Sequence, residues 1–281
     1  MKDNGAALLE TAAGSNIGLV RTNNEDRFVV MELACGGEAG QLAIVADGVG
    51  GHAAGEVASQ IVVEEVVRDL SAAPCTDPAS ELPRAVVHAG RAVFARSLED
   101  EALRGMGTTL AAAWVVGRRL YTVTVGDSRI YLHRGGKTIQ ASIDHTWVQE
   151  AVERGLLTPQ QASIHPNAHV LRRHLGGSND PEPDQRLRLD DGGPDDASAE
   201  HQGLKLETGD AVVLCSDGLS DLVNEKEIQR ALRHPQLDRT VKELTDLAIS
   251  RGGHDNITIA AIRIPEKRAR RTGWRRFIPF A

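Results

Sequence analysis

The sequence predicts an α+β protein made of layered sheets and helices rather than a doubly wound parallel sheet. Strand-like runs between residues 108 and 141 are joined by links of two or three residues, which are too short for parallel crossovers and predict antiparallel hairpins. Long amphipathic helices fall in separate blocks instead of following every strand. The links are Gly117-Arg118-Arg119, Gly126-Asp127-Ser128 and Gly135-Gly136.

Hydrophobic periodicity places the individual elements. Apolar stripes predict helices over 57–70 and 83–98, and a third helix is predicted from a capping box at Thr240–Glu243 to a stop at Gly252. A polar helical insertion spans 146–176, with Thr158-Pro159-Gln160-Gln161 capping its second short helix. Strands are predicted at about 16–21, 26–33, 40–46, 108–116, 120–126, 129–134, 137–141, 211–216 and 256–264.

Composition indicates a globular chain with an aliphatic core. Of its 281 residues 41% are hydrophobic but only 3% are aromatic, so Ala, Val, Ile and Leu must fill the interior. Three cysteines without CxxC spacing favour a reduced, cytoplasmic protein. The first 15 residues do not fit a secretory signal, and apolar runs such as 110–117 are shorter than a membrane span requires.

The net charge of −7 combines two opposed segments. Residues 180–200 hold eight acids and two bases, and residues 266–281 hold six bases and one acid. An acidic body with a basic tail argues against a nucleic-acid-binding protein. The Gly-, Pro- and Asp-rich stretch 178–203 is predicted to be a mobile loop.

Four aspartates occupy comparable positions at the ends or starts of predicted strands: Asp47, Asp127, Asp217 and Asp255. Asp-Gly is common turn chemistry, which explains any one of them taken alone. Asp47, however, is followed by the glycine-rich run 48–51, which suits close approach of the backbone to a ligand. Carboxylates that converge at one end of a sheet repel each other unless cations neutralise them. Oxygen ligands without dense Cys or His spacing favour Mg²⁺ or Mn²⁺.

The stretch RTNNED adds Arg21, Glu25 and Asp26 at the junction of two predicted strands. Arg21 either grips a phosphate or forms a surface ion pair with Glu25. With a bound phosphate dianion, this arginine, the acids and divalent ions approach neutrality, which points to phosphate-ester chemistry.

The sequence motifs of other phosphate-binding and nucleophilic enzymes do not match the spacing of residues in this chain. The position six residues after each cysteine, where a cysteine phosphatase needs arginine, holds Gln41, Glu81 or Asp221. Gly136-Lys137-Thr138 resembles the end of a Walker loop, but it lies in a hairpin and Tyr131 replaces the first glycine. The sequence also lacks the second glycine that a nucleophile elbow would need around Ser128.

An ordered set of motifs carries a family resemblance over about residues 14–264. The motifs are RTNNED, ADGVGGHAAGE, GTT, VGDSR, DHTW, HPNAHVLRRHLG, CSDGLSD and GGHDNIT. The chain resembles bacterial metal-dependent serine/threonine protein phosphatases of type 2C. The resemblance implies a four-layer α-β-β-α sandwich of two mainly antiparallel sheets, with a two-metal Mn²⁺ or Mg²⁺ site at one end. It also implies hydrolysis of phosphoserine and phosphothreonine in proteins by a metal-activated water, opposing a Ser/Thr kinase in cell signalling.

The resemblance assigns roles residue by residue. Arg21 matches the phosphate-binding arginine, and Asp127 matches a ligand of the third metal ion of bacterial members, shared with Asp217. The matched ligands of the two principal ions are Asp47 as the bridge, the carbonyl of Gly48, Asp217, Asp255, Glu25, and Asp26 through water.

Departures from the family pattern leave two questions open. Animal members have a histidine directly after the Asp-Gly pair, where this chain has Val49. The nearby His52 either protonates the leaving group or anchors the turn by hydrogen bonding. The histidines of the segment 144–176, which matches the flap of bacterial members, are interpreted as packing or surface residues: His165, His169 and His174.

The predicted organisation is a catalytic domain over 1–265 and a basic, aromatic tail over 266–281. The tail is predicted to be flexible, with docking to an anionic membrane or an acidic partner as the alternative. Phosphoprotein substrates and a cognate kinase are the expected partners, and nucleic acid is not. Two rival functions remain, a silent phosphoprotein-binding scaffold on the same fold and a metal phosphoesterase acting on small molecules or nucleic acid, although the acidic body weighs against nucleic acid.

Overall fold

A computed structural model describes residues 9–50, 53–72, 74–190 and 197–265. It consists of two antiparallel sheets stacked face to face. His52 and the tail 266–281 lie outside the described residues, so their predicted roles are not placed.

The strands of each sheet come from distant parts of the chain. The first sheet has the order β1 (Glu10–Asn16), β11 (Ile257–Arg263), β10 (Ala211–Cys215), β7 (Arg129–Arg134) and β8 (Lys137–Gln140). The second has the order β2 (Asp26–Glu32), β3 (Gly40–Val49), β5 (Leu110–Val116), β6 (Arg119–Val125) and β9 (Leu204–Lys205), with β4 (Gly107–Thr108) on β3.

Helices cover the outer face of each sheet. On the second sheet lie α1 (Ala53–Ala72) and α2 (Pro78–Glu99), which pack against each other, and on the first lie α6 (Glu225–Ala231) and α7 (Leu237–Ser250). Three short helices, α3 (Trp147–Glu153), α4 (Pro159–Ala162) and α5 (Asp217–Ser220), belong to the connections. The predicted four-layer α-β-β-α sandwich is confirmed.

Aliphatic side chains fill all three interfaces between layers, as the composition predicts. Between the sheets, residues such as Val45, Val115 and Leu214 are fully buried. Trp114 is also fully buried, and its indole Nε1 donates to the Leu33 carbonyl over 3.0 Å. The buried indole N–H of Trp114 therefore has a hydrogen-bond acceptor, which the aliphatic side chains around it do not require.

The first predicted strand is wrong by several residues. The strand runs over 10–16, and residues 17–21 form a turn in which Gly18 has φ +81° and Leu19 and Val20 are each 66% exposed. The apolar run Ile-Gly-Leu-Val resembles a strand, but no neighbouring strand pairs with it. The strand that does form, ETAAGSN, is stabilised by pairing along its whole length with β11.

The link Gly126-Asp127-Ser128 does not close a hairpin as predicted. It joins β6 in one sheet to β7 in the other, since a three-residue link can also cross between stacked sheets. Gly126 has φ +97°, and a Cβ there would lie 2.7 Å from the Thr109 side chain. This sharp crossing places Asp127 at the end of the sandwich.

The C-terminal helix is confirmed, but its predicted capping box is wrong. Helix α7 begins at Leu237, so Thr240 lies inside its first turn and its hydroxyl donates to the Ala231 carbonyl over 3.0 Å. The cap predicted at Thr158–Gln161 is confirmed. It is a capping box, in which the Thr158 hydroxyl accepts from the Gln161 amide and the Gln161 side chain accepts from the Thr158 amide.

The described part of the acidic segment 178–203, predicted to be a mobile loop, is anchored to the body of the protein at Asp184. Asp184 and Thr124 exchange two backbone hydrogen bonds of 2.9 Å. Burial alone would raise the pKa of the Asp184 carboxyl, but hydrogen bonds from His145 and Arg186 outweigh it and hold that pKa well below its ordinary range. A composition rich in Gly, Pro and Asp did not reveal this buried contact.

Two cysteines are paired, which corrects the expectation of three reduced thiols. Cys35 and Cys75 form a disulfide across 40 residues, beside a 2.9 Å hydrogen bond from the Gly36 amide to the Cys75 carbonyl. Cys215 is free and buried in β10. The pairing depends on the return of the chain after α1, which cysteine spacing does not show.

Replacing Cys75 with serine is expected to lower the free energy of unfolding by about 2–4 kcal/mol, because the cross-link restricts a long loop of the unfolded chain. Urea unfolding of the oxidised wild type and the variant measures this. Cys35→Ser is the matched variant, since it removes the same cross-link and should lose the same stability, and dithiothreitol should bring the wild type to the value of Cys75→Ser. Equal stability of oxidised wild type and Cys75→Ser would contradict the prediction.

None of the helices in the described ranges has the length and apolar character needed to cross a bilayer.

Candidate active site

The four aspartates singled out in the sequence meet at one end of the sandwich. Asp47 lies near the end of β3, Asp127 lies in the crossing between the sheets, and Asp217 is the first residue of α5. Asp255 lies two residues before β11. Strands of both sheets end or begin here, so the fold brings together residues separated by as much as 208 positions.

These side chains line a cleft of about 400 Å³ together with part of the RTNNED loop. Asp26 lies directly opposite Asp47 in the register of β2 and β3 and is itself buried. The structure therefore brings together all the predicted site residues that it describes. The cleft is lined by Arg21, Glu25, Asp47, Gly48, Val49, Gly50, Thr109, Asp127, His169, Leu171, Asp217 and Asp255.

Burial and mutual repulsion raise the pKa values of these acids. Burial and then the neighbouring carboxylates raise the pKa of Asp47 well above its ordinary value. The same two causes raise the pKa of Asp26 to about 7, of Asp127 to about 8 and of Asp217 to about 6. The clustered carboxylates thus carry more negative charge than the surrounding protein groups neutralise.

Two carboxylate oxygens in this cluster are buried without a hydrogen-bond partner, Oδ1 of Asp26 and Oδ1 of Asp217. Such atoms cost free energy unless a ligand satisfies them. A cluster of oxygen donors with unsatisfied lone pairs fits a hard divalent cation such as Mg²⁺ or Mn²⁺. The predicted ligand residues therefore suit metal ions by burial, charge and donor type.

Threonines fix the backbone that carries Asp47. The Thr109 hydroxyl accepts from the Asp47 amide over 3.0 Å, while the Thr109 amide and the Thr108 hydroxyl donate to the Asp47 carbonyl over 2.9 and 2.8 Å. Ser128 extends the network through a 2.6 Å hydrogen bond with the Thr109 hydroxyl. The motif GTT thus contributes by orienting an acid of the site.

Asn256 holds the RTNNED loop in place and was not identified as a site residue from the sequence. Its side-chain oxygen accepts from the Glu25 amide over 2.8 Å, and its side-chain nitrogen donates to the carbonyls of Ile17 and Asn23 over 3.0 Å each. The motif GGHDNIT contains this residue, but a sequence cannot show which backbone groups an amide side chain will bind.

Gly48 has no room for a side chain. A Cβ there would lie 2.2 Å from the Gly55 carbonyl oxygen and 2.8 Å from the Glu25 carbonyl oxygen. The close packing of three backbone segments explains the glycine that follows Asp47 and brings helix α1 against the acids.

Arg21 lies at the mouth of the cleft and is half exposed. Its guanidinium donates to Asp255 over 2.6 Å, and this hydrogen bond, more than the attraction of Glu25 and Asp47, raises its pKa. The sequence left two roles open for Arg21, phosphate binding and an ion pair with Glu25. In the structure it forms an ion pair with Asp255, a member of the acid cluster that is remote in sequence. Its exposed nitrogens are available to an anion entering the cleft.

A larger cleft of about 800 Å³ opens beside the first and shares Asp127, His169 and Asp217 with it. The segment 144–176 forms one wall through α3 and α4. His169 is 67% exposed, as predicted for a surface histidine, but it lines both clefts, which the sequence did not indicate.

A family model described as protein phosphatase 2C matches residues 20–248. The chain belongs to this family. The match covers the acid cluster except Asp255, together with Arg21 and the wall formed by α3 and α4.

Members of the protein phosphatase 2C family that resemble this chain include named bacterial phosphatases. The serine/threonine protein phosphatase PstP of Mycobacterium tuberculosis is 39% identical over 253 residues, which cover 90% of this chain and 44% of PstP. The match therefore spans less than half the length of that relative. Protein phosphatase PhpP of Streptococcus pneumoniae is 32% identical over 274 residues, covering 93% of this chain and all of PhpP.

A solved structure shares the protein phosphatase 2C fold. The catalytic domain of PstP in complex with two manganese ions superposes with a TM-score of 0.73 at 36% identity, covering 92% of this chain and 99% of the other. The two-sheet architecture of this chain is therefore that of the family.

Proposed function

We propose that this chain is a metal-dependent protein phosphatase that hydrolyses phosphoserine and phosphothreonine in proteins. The observation that carries the proposal is the buried cluster of carboxylates with unpartnered oxygens, bordered by a half-exposed arginine. The names of PstP and PhpP, and the manganese ions of the PstP catalytic domain, support the same function.

The residues that would hold two Mn²⁺ or Mg²⁺ ions are those of the smaller cleft. Asp127 together with Asp217 would hold a third ion. When bound, the two ions supply a water of lowered pKa and neutralise phosphate oxygens. The proposed ligands of the principal pair are Glu25, Asp26, Asp47, Gly48 through its carbonyl, Asp217 and Asp255.

The protein's own groups orient the phosphate. Arg21 exchanges part of its contact with Asp255 for two oxygens of the phosphate, which its planar guanidinium can bind in a fork. The hydrogen bonds from Thr108 and Thr109 fix the backbone of Asp47. The carboxyl group of Asp47 is therefore already placed in the cleft before a substrate binds. His52 is proposed to give a proton to the departing seryl or threonyl oxygen, with anchoring of the turn as its alternative role.

Protein substrates suit the shape of the site better than small phosphate esters do. The cleft of about 800 Å³ continues from the acid cluster along α3 and α4, which leaves room for residues that neighbour a phosphorylated one in a protein chain. Residues 1–265 are proposed as the catalytic domain, with 144–176 as its flap. A cytoplasmic signalling role opposite a Ser/Thr kinase, and docking through the tail 266–281, belong to the same proposal.

Phosphate release from a phosphothreonine peptide tests the proposal. With Mn²⁺, the purified chain should release phosphate from phosphothreonine and phosphoserine peptides and much less from a phosphotyrosine peptide of the same sequence. Binding of the phosphopeptide without release of phosphate would instead indicate a silent scaffold. Hydrolysis of small phosphate esters alone would indicate a small-molecule phosphoesterase.

Arg21→Ala is expected to raise KM for the phosphopeptide by about 10- to 100-fold, because a hydrogen-bonded charge contact is worth ~1.5–3 kcal/mol. Steady-state kinetics of the wild type and variant measure the change. Arg91→Ala is the matched control, since Arg91 also pairs with an aspartate, Asp180, at 2.8 Å but lies on exposed surface. An unchanged KM in Arg21→Ala would make Arg21 a structural residue.

A further inference from the structure

The larger cleft contains two buried hydrogen-bond donors that have no partner and do not belong to the proposed metal ligands. They are Nε of Arg188 and Oγ of Ser220, and both residues line the cleft of about 800 Å³. The Nε of arginine can only donate a hydrogen bond, and a serine hydroxyl can also donate one. Because a buried donor without an acceptor costs free energy, a group with acceptor oxygens is expected to bind in this cleft.

The backbone around Arg188 is fixed by contacts with two other parts of the chain. The Arg188 amide donates to the carbonyl of Ala141, directly after β8, over 2.8 Å. The preceding residue, Leu187, is buried and exchanges two backbone hydrogen bonds with Ser198. The side chain of Arg188 therefore lines the cleft from an anchored position, and little backbone freedom is lost when it binds a ligand.

The two arginines that line the larger cleft differ in their charge balance. Nε and Nη2 of Arg129 donate to the carboxylate of Asp144, which neutralises that guanidinium. Arg188, in contrast, forms no ion pair with any residue that the structure describes. At the other end of the cleft, Asp127 and Asp217 are neutralised when they hold the proposed ions, so they do not repel an acidic chain. Arg188 thus leaves an unbalanced positive charge in the cleft.

We propose that Arg188 is a subsite for an acidic group of the substrate chain, either a carboxylate or a second phosphate, near the phosphorylated residue. This inference rests on the proposed phosphatase function. The larger cleft shares Asp127 and Asp217 with the acid cluster, so a chain whose phosphate binds at the cluster can continue toward Arg188. Val148 and Val152 give the cleft an apolar wall, which suits a polypeptide better than a free anion. The guanidinium can bind two oxygens of an acidic group in a fork.

A series of phosphothreonine peptides tests the subsite by steady-state kinetics of the full-length protein with Mn²⁺. Each peptide has neutral residues around the phosphothreonine, except that one position holds Asp, and a matched peptide holds Asn there. The position is moved along both sides of the phosphothreonine. At the position that reaches Arg188, the Asp peptide should have a KM about 10-fold lower than the Asn peptide, as expected of one charge-assisted hydrogen bond. Arg188→Gln should remove this difference and leave the KM of the Asn peptide unchanged.

Arg154→Gln is the matched control for Arg188→Gln. Arg154 directly follows α3, is 71% exposed and does not line the cleft. Its replacement removes the same charge and should keep the preference for Asp. Equal loss of the preference in both variants would overturn the proposal, because general attraction of charges would then explain it. Hydrolysis of all peptides without any preference for Asp in the wild type would also overturn it, while the proposed phosphatase function would stand.

Fluorescence anisotropy gives a readout that does not depend on turnover. Labelled peptides with a non-hydrolysable phosphonate analogue of phosphothreonine are titrated with the Mn²⁺-loaded protein. The wild type should bind the Asp peptide about 10-fold more tightly than the Asn peptide, and Arg188→Gln should bind both equally. If this preference appears although no peptide is hydrolysed, the subsite stands and the proposed phosphatase function falls. A third peptide, with a phosphonate analogue of phosphoserine in place of Asp, identifies the acidic group: tighter binding of this peptide alone assigns Arg188 to a second phosphate.

Discussion

Replacing Asp47 with asparagine is expected to lower kcat for the phosphothreonine peptide by on the order of 10³ or more. Asparagine keeps the size of the side chain and one oxygen but removes the charge at the centre of the acid cluster. Asp26, Asp217, Asp127 and Asp255 each raise the pKa of Asp47, so its carboxyl group lies within electrostatic reach of four other acids. Steady-state kinetics at saturating Mn²⁺ measure the loss.

The same substitution should make the metal-free protein more stable. Removing one charge from a cluster that repels itself lowers the cost of folding without metal. Thermal unfolding in EDTA should therefore show a higher Tm for Asp47→Asn than for the wild type. A lower Tm together with lost activity would mean that the substitution acts through the fold.

Asp246→Asn is the matched control for Asp47→Asn. Asp246 is 60% exposed, pairs with Lys242 on the surface of α7, and does not line the cleft that contains the acid cluster. Its replacement removes the same charge from the chain and should leave both kcat and the Tm in EDTA close to those of the wild type. Wild-type kcat in Asp47→Asn would contradict the proposed mechanism.

Chelation by EDTA is expected to abolish hydrolysis, and added Mn²⁺ is expected to restore it. Without cations, the acid cluster repels a phosphate dianion instead of binding it, and Arg21 alone cannot balance the charge. Phosphate release before chelation, after it and after Mn²⁺ is returned measures the effect. Activity that survives exhaustive chelation would contradict a metal-dependent mechanism.

Chelation should also reverse the dependence of stability on pH. The pKa values of Asp217, Asp26 and Asp127 are raised to about 6, 7 and 8, whereas the same groups in the unfolded chain titrate near 4. Between about pH 4 and 8 the folded metal-free protein therefore binds more protons than the unfolded chain, and its stability falls as pH rises.

The Tm in EDTA should decrease from pH 5 to pH 8. With Mn²⁺ it should not, because deprotonated ligands bind the ion more tightly. A Tm in EDTA that rises across this range would contradict the raised pKa values.

Regular patterns made most of the layers predictable. The apolar stripes of α1 and α2 were located from the sequence because their helical period repeats over several turns, and β3, β5 and β10 were located because they contain continuous apolar runs. Element ends were less predictable. Helix α2 begins at Pro78, five residues before its predicted start, because Asp77 caps it through the Ala79 amide.

Contacts between distant residues account for the errors. Strand β1 has few β-forming residues and depends on pairing with β11, and the crossing at Asp127 looks in sequence like any short turn. Asp184 lies in a loop-like composition but is buried, and its remote contacts are backbone hydrogen bonds with Thr124 and a 3.1 Å contact with His145. In each case the deciding partner is remote or belongs to another layer.

The sequence by itself determined which residues could act as metal ligands or bind phosphate. They are the acids, the arginine and the glycine that follows Asp47, and each belongs to an ordered motif. Only the tertiary structure decided that Asp26 faces Asp47 across two strands, that Asn256 holds the Glu25 loop, and that His169 lies beside Asp221. Burial and charge repulsion depend on which side chains become neighbours, and strands from both sheets supply those neighbours.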